Sequence, residues 1–144
     1  MKGSEAELFV HCRGGLTGEE CARVEELLPR AVDEVVVRWP KSGLGELDEL
    51  EVSLVDDATL ARVHGEFLDD PTATDVITFD HGEILISVEM AESRAQEFGK
   101  ETWEEVLLYL VHGLLHLAGF QDKAEDERRE MAELQEEIWA GLVA

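Results

Sequence analysis

Apolar and polar positions alternate with two different periods along this chain. Glu7 to Cys12 alternates in twos and predicts a first strand. From Thr17 the period becomes helical. Thr17-Gly18-Glu19-Glu20 has the composition of a capping box, and Val24, Leu27, Leu28, Ala31, Val35 and Trp39 share one face up to a stop at Pro40. Pro29 lies inside this helix and, lacking an N–H, allows a kink or a break there. Lys41 to Glu46 predicts a loop, and Leu50 to Val55 a second strand. Asp57 is placed to cap a short helix through Phe67, with Leu60, Val63 and Phe67 facing inward.

The second half is more apolar. Asp75 to Phe79 and Glu83 to Ser87, joined by Asp80-His81-Gly82, carry a hairpin signal. Ser87 can cap a helix that Gly99 ends. Thr102-Trp103-Glu104-Glu105 predicts a second capping box, opening the most apolar helix of the chain, Trp103 to about Ala118, with Gly119 as its stop. A last helix is expected from near Asp122. It turns Met131, Leu134, Ile138 and Leu142 inward and leaves Glu127, Glu130, Glu133, Glu136 and Glu137 to solvent. The expected fold class is α+β: a small four-stranded mixed sheet with about five helices.

Composition narrows the function. The chain has 144 residues, close to the size of one domain, so a single domain over residues 1–144 is expected. Its longest apolar run, Val106 to Val111, is far shorter than the roughly 20 residues that cross a bilayer. The first ten residues lack the apolar core of a secretory signal, so a cytoplasmic protein is expected. Cys12 and Cys21 fit no metal-binding spacing, and two cysteines are too few for a disulfide scaffold. The expectation is a pair of reduced thiols. With 34 acidic and 12 basic residues the net charge is −22, which repels phosphate at long range.

The chemistry concentrates in His112-Gly113-Leu114-Leu115-His116-Leu117-Ala118-Gly119-Phe120-Gln121-Asp122. Residues four apart on a helix stand one above the other, so His112 and His116 offer two imidazoles to one point, half of a tetrahedral zinc site. Gly119 lets the chain turn back, and Asp122 can then supply a third ligand, a metzincin-like pattern. Three protein ligands leave the fourth position to water, as catalytic zinc requires. As plain core residues, two buried rings without partners would each cost roughly 1–3 kcal/mol, which a shared metal removes. Asp122 can equally cap the last helix, since Asp122-Lys123-Ala124-Glu125 also has capping-box form. Gly113 stands where many zinc proteases carry a glutamate base, which disfavours peptide hydrolysis. Asp75 is the candidate catalytic carboxylate, with Glu83 a lesser one.

These residues resemble the YbeY family, bacterial metal-dependent endoribonucleases of ribosomal RNA maturation. The family pattern His-Gly-x-Leu-His-Leu-x-Gly-Tyr/Phe-Asp-His is matched from His112 through Phe120. A second block, Thr-Asp-Val-Leu-Ser-Phe-Pro followed by Gly-Asp-Ile-x-Ile-Ser, is similar to Thr74 to Asp80 and Gly82 to Ser87, and the likeness runs from about Leu50 to Trp139. The resemblance implies a zinc-dependent, single-strand endoribonuclease acting on ribosomal RNA near the small ribosomal subunit. The chain departs from the pattern in three places. Asp122 falls on the third histidine and Gln121 on the aspartate before it, unless Gln121 is an insertion, when Lys123 replaces that histidine. Leu68 stands where the family has an arginine suited to phosphate, and His64 where it has an asparagine. His11 and His81 are expected at the surface. Two alternatives stay open: an acidic ribosome-assembly module that meets basic ribosomal proteins, and a zinc hydrolase with a non-nucleic-acid substrate.

Overall fold

A computed structural model describes residues 7–12, 15–39, 44, 47–68, 76–79, 81–120 and 124–144, without the side chains of His64, Phe67 and Leu68. It contains four strands, β1 (Glu7–Cys12), β2 (Glu49–Val55), β3 (Val76–Phe79) and β4 (Glu83–Ser87). Five helices accompany them: α1 (Gly18–Arg38), α2 (Asp57–Leu68), α3 (Val88–Phe98), α4 (Thr102–Leu117) and α5 (Glu125–Val143). The strands form one sheet in the order β1-β2-β4-β3. β1 and β2 run parallel with Val10 opposite Val52; β2 and β4 run parallel with Val52 opposite Ile84; β3 closes antiparallel on β4 with Thr78 opposite Ile84. The expected α+β fold with a four-stranded mixed sheet is the one observed.

The two faces of the sheet are filled unequally, as side-chain alternation along a strand dictates. Leu50, Val52, Leu54, Ile84 and Ile86 point into the main core with Val24, Leu28, Ala31 and Val35 of α1 and Val106, Leu110, Val111 and Leu114 of α4. α5 lies outside this layer and adds Met131, Ile138 and Leu142. Its Trp139 indole donates to the Glu104 carbonyl at 2.8 Å. On the opposite face α2 covers a smaller core of Val55, Leu60, Ile77 and Leu85. β2 and β4 are therefore buried on both faces, which explains their nearly continuous apolar runs, whereas the edge strand β1 alternates exposed and half-buried residues.

Most of the end signals act as expected. Thr17 and Glu20 form a reciprocal capping box, with Glu20 N–H donating to Thr17 Oγ1 at 3.1 Å and Thr17 N–H to Glu20 Oε1 at 3.0 Å. α1 then continues through Pro29 without a break. Ser87 caps α3 through Met90 N–H at 3.0 Å, and Gly99 ends it with φ 67°.

Two caps differ from expectation. Asp56, not Asp57, caps α2, accepting from Thr59 N–H at 2.7 Å. Hydrogen bonding from Thr59 holds the Asp56 carboxyl below the usual range. The Asp57 carboxylate is instead taken by the Ser87 hydroxyl, and its N–H donates to Glu89 at 2.7 Å. At α4 the capping box lies one residue earlier, between Glu101 and Glu104, because the Glu101 carboxylate is also held by the Trp103 indole. α5 begins at Glu125 with Ala124 in the cap position; Asp122 lies outside the described residues. Glu125, Asp126 and Glu127 in its first turn complement the helix dipole.

The cysteines overturn the expectation of free thiols. Cys12 ends β1 and Cys21 lies near the start of α1; the return of the chain sets their Cα atoms 6.5 Å apart, and a disulfide joins them. His11 and His81 are surface residues, as expected, paired with Glu51 at 3.5 Å and Glu83 at 3.2 Å. Among the described residues, no helix is long and apolar enough to cross a membrane.

Candidate metal centre

α4 is the central helix of the main layer, and one small residue lets it lie close to the sheet. A Cβ on Gly113 would sit 3.1 Å from Ile84 Cγ2 and 3.3 Å from both Ile84 Cδ1 and Thr78 Cγ2. A glutamate at this position would point into β3 and β4. The sheet has claimed the position where a zinc protease carries its base.

His112 and His116 flank this contact, both half-buried. Their rings meet edge to face, centroids 4.6 Å apart at 81°, and the two Nε2 atoms lie 3.1 Å from each other. Each ring is oriented by an oxygen on its far side. His112 Nδ1 lies 2.7 Å from Gln135 Oε1 on α5, and His116 Nδ1 lies 3.0 Å from the Phe120 carbonyl. A carbonyl oxygen only accepts, so each Nδ1 is placed to donate and each Nε2 is turned toward the other ring. Two imidazole nitrogens converging at this distance can ligate one ion. Tetrahedral zinc with Zn–N bonds of 2.0–2.1 Å separates two nitrogen ligands by roughly 3.3 Å, close to the spacing observed. An Nδ1–H anchored on a backbone or amide oxygen is also the usual support of a metal-binding histidine. The donor set fits a divalent metal.

The turn after α4 supplies the second anchor. Gly119 takes φ 113°, and Phe120 N–H returns to the Leu115 carbonyl at 3.0 Å, closing the helix. This brings the Phe120 carbonyl under His116 while the Phe120 ring packs on Trp39, centroids 4.6 Å apart. A recess of about 440 Å³ opens beside the turn, bounded by Trp39, Phe120, Asp126, Glu127 and Glu130. Arg62 lies elsewhere, in a recess on the α2 side of the sheet with Glu51, Asp56 and Glu83.

Of the residues expected in the site, the structure brings together His112 and His116. Asp122 and Asp75 lie outside the described residues, as do Gln121, Lys123 and the side chains of Leu68 and His64. Glu83 pairs with surface His81. Gln135 and the Phe120 carbonyl were not anticipated. Gln135 had a legible signal: it follows Met131 by four and precedes Ile138 by three, so it shares the inward stripe of α5 rather than its acidic face. The carbonyl has no side-chain signature.

A mixed sheet roofed by helices, with two oriented imidazoles meeting on the central one, defines an α+β protein with a paired-histidine site. The model of the family described as endoribonuclease YbeY matches residues 20–143. The chain belongs to the YbeY family. It is 31% identical to the endoribonuclease YbeY of Kineococcus radiotolerans over 144 aligned residues, covering 88% of this chain and 79% of that one. To the endoribonuclease YbeY of Arthrobacter sp. strain FB24 it is 31% identical over 150 aligned residues, covering 92% and 90%. The solution structure of the Thermotoga maritima protein TM1509 superposes with a TM-score of 0.60 at 26% identity, covering 93% of this chain and 90% of that one.

Proposed function

We propose that this chain is a zinc-dependent endoribonuclease that cleaves single-stranded segments of ribosomal RNA during maturation, as one cytoplasmic domain working near the small ribosomal subunit. Family membership supports the nuclease class, since the relatives are named endoribonucleases. The observation that carries the metal assignment is the 3.1 Å approach of the two Nε2 atoms, each ring oriented from its Nδ1 side.

His112 and His116 would hold the ion through Nε2, with Asp122 as third ligand from just beyond the Gly119 turn. Zinc, when bound, supplies an acidified water and a Lewis acid for a phosphoryl oxygen. The protein residues do the positioning. Gln135 and the Phe120 carbonyl keep each Nδ1 protonated and each Nε2 available. Gly113 offers no proton acceptor, so the base comes from outside α4; Asp75, immediately before β3, is assigned that role. The test measures zinc content and cleavage of a single-stranded ribosomal RNA fragment for the native protein and for His116→Ala. With the Cys12–Cys21 disulfide intact, both are expected to fall to background in the variant. Unchanged zinc, or unchanged cleavage, would overturn the proposal.

The acidic recess beside the turn favours one second reading. Asp126, Glu127 and Glu130, with the net charge of −22, repel a phosphate backbone and suit a basic ribosomal protein. A ribosome-assembly module of that kind would co-sediment with small-subunit particles and leave single-stranded RNA intact in the presence of zinc.

A further inference from the structure

A second group of metal-ligating side chains lies at the other end of the sequence, apart from the imidazoles. Cys12 Sγ, Cys21 Sγ and a Glu25 carboxylate oxygen all fall within 4.8 Å of one another. Cys21 and Glu25 are four apart on α1 and share a face, with Glu25 Oε1 3.6 Å from Cys21 Sγ; Cys12 reaches the same point from the end of β1. Both cysteines are half-buried and Glu25 is exposed, so the group opens to solvent on one side. Because its ligands come from a strand and a helix, its spacing in sequence matches no metal signature.

We propose that the reduced chain holds a thiophilic divalent cation, zinc or cadmium, between Cys12, Cys21 and Glu25, and that the Cys12–Cys21 disulfide is the closed, oxidised form of this site. Thiolates are the metal-binding form of cysteine, and two of them select a soft or borderline-soft ion over magnesium or calcium. The carboxylate completes three protein ligands and leaves the solvent side to water. Opening the site needs a thiol reductant. Two reductant thiols give two electrons and two protons to the Sγ–Sγ bond, which becomes two cysteine thiols while the reductant becomes a disulfide. The cation then displaces both thiol protons. In a compartment where thiols are kept reduced, the pair would be in its metal-binding form. The inference stands apart from the histidine centre.

The full chain, reduced and freed of reductant without air, is titrated with cadmium while the ultraviolet cadmium–thiolate charge-transfer band is recorded. That band reports sulfur ligation and is blind to imidazole. One thiolate-bound cadmium per chain is expected, absent from the oxidised protein, lost in Cys21→Ser and unchanged in His116→Ala. Glu25→Gln, which keeps both thiols and alters only an exposed side chain, should weaken cadmium binding by at least about tenfold. No band in the reduced native chain, a band that survives Cys21→Ser, or an affinity indifferent to Glu25→Gln would overturn the site. Should Cys21→Ser fail to fold, the Glu25→Gln titration decides alone.

Discussion

Two helices of this protein carry ligand-type side chains four residues apart, His112 with His116 on α4 and Cys21 with Glu25 on α1, and the two pairs are built to different standards. The α4 pair lies in the middle of the main layer, on a helix pressed against the sheet at Gly113, and each ring has a fixed partner behind it. The α1 pair lies half-buried to exposed in the first turns of its helix and takes its third member from an edge strand. Shared spacing therefore does not give shared readiness. The imidazoles are held in a ligand-like arrangement by packing and hydrogen bonds already present. The cysteines meet only because two separate elements meet, and a covalent bond can occupy the meeting point instead. Preorganisation is a property of the surrounding contacts, not of the i, i+4 repeat.

The difference can be tested by loosening each surround in turn. The largest effect is expected from Gly113→Glu. Helix propensity favours the larger residue by up to about 1 kcal/mol, but overpacking against Ile84 and Thr78 and burial of a carboxylate should cost at least about 3 kcal/mol. Urea unfolding measures the balance, and a variant as stable as the native chain would remove the close approach of α4 from the explanation. Gln135→Leu comes next. It preserves bulk and removes the oxygen behind His112, so zinc affinity at the imidazoles should fall about 10- to 100-fold in a competitive chelator titration. An unaltered affinity would mean that the ring needs no orienting partner. The smallest effect is expected from Thr17→Ala, which deletes the cap of α1 at a cost of about 1 kcal/mol. Amide hydrogen exchange should accelerate around Cys21 and stay slow around His112. Equal acceleration at both would show that the two regions are one cooperative unit rather than two.

Much of this was legible beforehand, and the misses have a common physical origin. Strand and helix positions followed from periodicity because burial in two layers imposes it, and the convergence of His112 with His116 followed from helical geometry alone. The Asp56 and Glu101 caps were each misplaced by one residue. In both places two adjacent residues are able to cap; at α2 contacts distant in sequence decide, because Ser87 and Glu89 engage Asp57, and at α4 the nearby Trp103 indole engages Glu101. The cysteine pairing was missed because β1 and α1 are brought together by a turn whose path spacing does not reveal. The Phe120 carbonyl was missed because every residue has one, and only the Gly119 turn says where it points.

The orientation of His112 has a consequence for biosynthesis. Its acceptor, Gln135, lies twenty-three residues further along the chain, on α5. A nascent polypeptide that has emerged only as far as α4 therefore displays both imidazoles with one of them unsteered, and His112 gains its partner only when α5 docks and its Trp139 reaches the Glu104 carbonyl. An ion held by the proposed centre would therefore meet both oriented rings only late in synthesis, after the sheet and its roof have been made.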